Sequence, residues 1–174
     1  MTYAELRRAL IYVLKVPPDR ALALDAEIKN LSHHGIPYLR RPAQKGKAID
    51  YGYEDVCMLM LTLVLCSWRS RPRDMSAAVL RHWPAIAEGI RRHHASECMM
   101  LVAKPNFLTA KWQGRDPMPM QCMPLEEVSE RWVEFVRDDR WNEFVWLSTY
   151  LNLLEEGLTR LRARVQKSAP QSPR

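Results

Sequence analysis

The chain is poor in glycine, with six in 174 residues, and in phenylalanine, with three. So little glycine argues against a collagen-like or turn-dense β architecture. Long apolar runs are missing too. The longest, Val56 to Cys66, is broken by Thr62 and falls short of the roughly 18–20 residues that span a bilayer. No charged-then-apolar leader opens the chain, so a cytoplasmic, non-membrane protein is expected.

Several chemical signatures are also absent. There is no Cys-x-x-Cys pair, no His-Glu-x-x-His run and no Gly-rich phosphate loop. Cys57, Cys66, Cys98 and Cys122 are expected to be thiols, with Cys57 and Cys66 acting as small buried hydrophobes. A metal sensor needs three or four converging ligands, and Cys98, Cys122, His93 and His94 lack such spacing. The acids Glu126, Glu127, Glu130 and Glu134 read as a solvated face near a helix start, where the dipole favours them. Asp138-Asp139 reads as a helix break. No metal, no cofactor and no enzymatic activity is expected.

What is present is charge, unevenly placed. Hydrophobic residues at 47% and charged residues at 26% describe a globular chain able to bury a core without staples. Residues 1–95 hold 15 Lys or Arg against 9 Asp or Glu, whereas residues 96–174 hold 11 of each. The formal excess of +6 therefore sits in the N-terminal half. Ile36 to Lys47 carries Arg40, Arg41, Lys45 and Lys47 with no acid, an electrostatic footprint for a polyanion.

Periodicity supplies the elements. Thr2 and Glu5 form a capping box ahead of the apolar stripe Leu6, Ala9, Leu10, Val13 and Leu14. Pro17-Pro18 stops that helix. A second helix then buries Leu24, Ile28 and Leu31 and ends at Gly35. Ile36 to Arg40 and Ala48 to Tyr51 read as two strands of a basic hairpin, with Gly46 near its tip. An almost wholly apolar core helix follows from Tyr53 to Cys66. Arg69 to Asp74 reads as a loop, and a fourth helix as running from Met75 or Ser76 to His94 with an interruption near Pro84.

Helix, helix, basic hairpin, helix is the order of a winged helix-turn-helix. Its second helix enters the major groove while the wing meets phosphates. Arg20, Asp25, Lys29, Asn30, His33 and His34 are the candidate contacts on the second helix; Arg40, Arg41, Lys45 and Lys47 are those of the wing.

Here the chain resembles the DNA-binding domain of MerR-type regulators. Gly35-Ile36 stands where that family's recognition helix ends, and Arg40 or Arg41 where its wing arginines lie. Tyr51 matches its Tyr, and Asp55, after Glu54, the acid that opens its core helix. The resemblance covers roughly residues 1–90 and implies secondary helices through Met75 to His94. It also implies a dimer formed by a C-terminal helix.

Residues 96–124 read as a connector with short strands at Cys98 to Val102 and Phe107 to Trp112, then a Pro- and Met-rich stretch, Asp116 to Pro124, without a period. Joining domains, holding an effector and touching RNA polymerase are equally open roles for this connector. A long helical region is expected from Leu125 to Gln166, bent at Asp138-Asp139, before a disordered tail from Lys167 to Arg174. Within it, Phe144, Leu147, Leu151, Leu154, Leu158, Leu161 and Val165 are spaced 3, 4, 3, 4, 3, 4, the seam of a coiled coil.

The expected protein is thus mainly α: a winged helix-turn-helix over 1–95, a connector over 96–124 and a helical dimerisation region over 125–166. The expected function is a homodimeric, sequence-specific regulator of transcription on double-stranded DNA. Three rivals share the sequence: an excisionase-like architectural accessory protein, a protein-binding adaptor using the C-terminal helices, and a ligand or metal sensor.

Overall fold

The Thr2 hydroxyl accepts the Glu5 N–H at 3.4 Å, and the Glu5 carboxylate accepts the Thr2 N–H at 2.7 Å. This capping box opens α1, Tyr3–Val13, in a computed structural model that describes residues 1–37, 49–67, 71–103, 120–132 and 143–168. A 3-10 turn, Pro18–Arg20, leads into α2, Ala21–His33. The core helix α3 spans Tyr53–Cys66, and α4 spans Pro72–His94. Then come β1, Met99–Ala103; β2, Met120–Pro124; α5, Leu125–Glu130; β3, Glu143–Val145; and α6, Leu147–Ser168. The described residues are mainly helical, as expected.

Three helices end in the same hydrogen-bond pattern, in which the chain turns through the left-handed region and caps the last free carbonyls. After α1, Lys15 has φ 50°, Lys15 N–H bonds Tyr12 O, and Val16 N–H bonds Ile11 O at 3.0 Å. After α2, Gly35 takes φ 81° and Ile36 N–H bonds Leu31 O at 3.0 Å. After α4, Ser96 has φ 75° and Glu97 N–H bonds Arg92 O at 3.1 Å. Only the second of these has the glycine that signals such an end in sequence. The apolar contact that usually closes the motif is replaced after α4 by an Arg92–Glu97 ion pair. That pairing holds the Glu97 carboxyl below its ordinary range.

α3 is buried on all sides from Val56 to Leu65 and lies at the centre. Its one hydroxyl there, Thr62, donates to Met58 O at 2.7 Å and so is satisfied without water. α4 begins at Pro72, earlier than expected, because proline suits a helix's first turn. It also continues through Pro84. The ring removes one backbone bond there, and burial of Val79, His82 and Ile86 on either side holds the helix together.

The sheet has strand order β2-β1-β3, all antiparallel. Met99 and Leu101 of β1 face the main core; Met100 and Val102 face a smaller cluster with Met123 and Val128. Burial on both faces explains the continuous apolar run in this strand. β2 lies directly on α4: a Cβ added to Gly89 would stand 2.5 Å from Cys122 Cβ.

The C-terminal half departs most from expectation. Asp116 to Pro124 is not all irregular, since its last five residues are β2. The single long helix is replaced by α5, β3 and α6, and Phe144 pairs with Val102 in the sheet instead of starting a helical seam. Leu147, Leu151, Leu154 and Leu158 do form a stripe on α6, but they are buried in the chain's own core, with α1 as the main neighbour. Leu161 is half-buried against that core; the Val165 side chain lies outside the described residues. One buried cluster runs from Leu6 to Leu158, so the expected division at residue 95 does not divide the core. α6 also absorbs Lys167 and Ser168, the first residues of the expected tail. The expected strand Phe107 to Trp112, the bend at Asp138-Asp139 and residues 169–174 lie outside the described residues.

Candidate nucleic-acid interface

Each residue of an α-helix turns by about 100°, so α2 can be divided into faces. Leu24, Ile28 and Leu31 point into the core. Leu22, Ala26, Lys29, Asn30 and His33 fall on the opposite side, and all five are exposed. Arg20, just ahead of the helix, is exposed as well. The structure therefore brings Lys29, Asn30 and His33 together on one outward surface.

One predicted contact has another role, and a second is only half-exposed. Asp25 accepts from Arg7 Nε at 2.7 Å and from the Tyr3 hydroxyl at 3.0 Å, which ties α2 to α1. The Arg7 bond holds the Asp25 carboxyl below its ordinary range. Burial and this carboxylate together push the Tyr3 hydroxyl up to about 12. Asp25 is thus an internal brace. His34 is half-buried at the C-cap of α2, where its N–H bonds Leu31 O at 2.9 Å.

Leu22 was not among the predicted contacts, yet it is 81% exposed on the same outward surface. Its signal was available: it is out of phase with Leu24, Ile28 and Leu31. An exposed leucine there is an apolar contact point with no role in the core.

Arg40, Arg41, Lys45 and Lys47 lie outside the described residues, as does most of the expected hairpin. Its flanks are described. Ile36 is fully buried after the Gly35 turn, and Tyr51 N–H bonds Met1 O at 2.8 Å. Asp50 meets the amino group of Met1. The basic segment therefore leaves from the end of α2 and returns beside the start of α1. The described flanks, Ile36-Pro37 and Ile49 to Tyr51, are irregular and not strand, since Pro37 cannot donate a ladder bond and Tyr51 bonds to Met1.

On the other side of α2 lies a groove of about 970 Å³. Leu24, Val13, Leu63 and Val64 form its floor, with Trp146, just before α6, and Tyr150 of α6 along one wall.

Other polar groups serve the fold. The Ser148 hydroxyl accepts Met99 N–H at 2.7 Å and lies 3.0 Å from His93 Nδ1, joining β1, α4 and α6. It is buried and does not line the groove. His94 Nδ1 and the Tyr53 hydroxyl both meet Glu155, at 3.2 and 3.4 Å. Burial pushes the Cys57 and Cys122 thiols well above their ordinary range, which suppresses the reactive thiolate. Among the described residues no cluster of three His, Cys, Asp or Glu is placed to hold a metal, and no helix is long and apolar enough to cross a membrane. No family model matches the chain, and no curated protein matches it.

Proposed function

We propose that the chain is a sequence-specific regulator of transcription that binds double-stranded DNA through α2 and the basic segment after it. The observation that carries this reading is the outward surface of α2. Lys29, Asn30, His33 and Leu22 offer, on one helix face, a cation, an amide, a ring donor and an apolar contact. Lysine suits guanine or phosphate, and asparagine pairs with adenine through two hydrogen bonds. The helix is held by a single buried stripe and by the Asp25–Arg7 brace, which leaves its far side open. Arg40, Arg41, Lys45 and Lys47 follow in an acid-free stretch and would supply phosphate contacts with a strong salt dependence. The resemblance to MerR-type regulators over residues 1–90 agrees with this arrangement.

The protein acts as a dimer in this reading, since two-fold pairing doubles a modest half-site. The contact between copies does not use Leu147, Leu151, Leu154 or Leu158, which the fold buries.

The test is capture and sequencing of fragmented genomic DNA by the purified protein at two salt concentrations. A few enriched palindromic sites upstream of genes, retained at the higher salt, are expected. Diffuse capture that vanishes at the higher salt would refute the sequence-specific reading and favour an accessory role.

A further inference from the structure

The groove beside α2 has its own chemistry. Its volume of about 970 Å³ lies at the upper end for small-molecule sites. Its floor is apolar and buried; its rim carries Lys15, Arg20 and one acid, Glu27. The left-handed turn at φ 50° fixes where Lys15 leaves the backbone, and the 3-10 turn ending at Arg20 fixes the second cation. Neither cation has an acidic partner among the described residues. Trp146, 50% exposed at the wall, offers a flat apolar surface of which the fold covers only half.

From this combination we infer that the groove is a binding site for a small aromatic carboxylic acid, its ring against Trp146 and Tyr150 and its carboxylate on Arg20 and Lys15. An apolar body would satisfy the floor, and a single negative charge would complement the excess of two cations over one acid. An uncharged ligand would leave the cations unmatched, and a cationic ligand would meet them directly.

One consequence rests on the DNA-binding reading. Arg20 lines the groove and is also one of the predicted DNA contacts, so a carboxylate on Arg20 would neutralise a cation that the DNA-binding reading uses. Occupancy would then weaken DNA binding, as an inducer does.

The test is isothermal titration of the full chain with benzoate, 4-isopropylbenzoate and 1-naphthylacetate, each beside its uncharged amide. Saturable one-to-one binding is expected for at least one acid, with the amide at least tenfold weaker. Arg20→Gln is expected to bring the acid to the level of its amide, and Trp146→Ala to weaken acid and amide alike. Both side chains are exposed, so an unchanged melting temperature should certify each variant. No acid binding below 1 mM (about the weakest affinity worth −4 kcal/mol), or equal binding of acid and amide, would overturn the proposal. A mobility shift with and without the acid tests the coupling separately. Failure to bind DNA at all leaves the titration result standing.

Discussion

α2 and α6 carry similar apolar stripes and use them differently. On α2 the stripe is narrow, three residues, and the opposite side stays exposed. On α6 the stripe is longer, and α1 covers it, so closely that a Cβ on Gly157 would stand 2.8 Å from the Tyr12 ring. Arg160 closes the same contact from outside, 5.1 Å above that ring. The heptad spacing that suggested a second copy of the chain is satisfied within one copy. A period of three and four says that a face is buried; it does not say against what.

The sharpest way to break this comparison is to truncate the stripe of α6. Leu151→Ala should cost about 2–5 kcal/mol, the range for deleting a buried leucine. A seam between copies would instead give a folded monomer with an unchanged unfolding transition. Denaturant unfolding alongside light scattering separates the two.

Next in size is Gly89→Ala. The new methyl would press on Cys122 Cβ, which is fixed to the β2 backbone and is not the free end of a side chain, so about 1–3 kcal/mol should be lost. The same change at Gly157 meets a ring that can turn, and should cost less. Equal losses at the two positions would show that β2 is free to lift from α4.

The helices were the legible part of the sequence. The Thr2–Glu5 box, the stripe of α2, Gly35 and the apolar run of α3 each have a local cause, and each element appears where that cause puts it. The sheet was less legible, because strand pairing joins residues far apart in the chain. β2 is disguised by Pro119 just before it and Pro124 at its end, and β3 is three residues long and set by pairing with β1. Phe144 lies three residues before Leu147, which matched the helical period by coincidence. Of the candidate site, Lys29, Asn30 and His33 were legible as residues out of phase with the buried stripe. The brace at Asp25 was not, since it depends on Arg7 and Tyr3 across a turn.

That brace predicts a pH effect smaller than the packing losses. The Asp25 carboxyl titrates lower in the folded chain than in the unfolded one. Its contribution is therefore complete above the unfolded carboxylate range near pH 4 and disappears as pH falls through the lowered folded value. Asp25→Asn should flatten the acid side of a melting-temperature profile between about pH 5 and pH 2. An unchanged profile would remove the brace. The smallest effect is a gain: Ser96→Gly relieves a left-handed residue and should add about 0.5–1 kcal/mol, seen as a higher denaturation midpoint. A loss there would mean that the Ser96 side chain matters to the end of α4.

The claim that α2 faces outward for a purpose is tested most directly on the selected DNA itself. Lys29→Ala and Asn30→Ala should leave the unfolding transition within about 0.5 kcal/mol of the parent, as exposed positions do. At the same time Asn30→Ala should lose about 1–3 kcal/mol of discrimination at one base position. Equal binding of parent and variant to selected and scrambled duplexes would contradict the assignment of α2 as the reading helix.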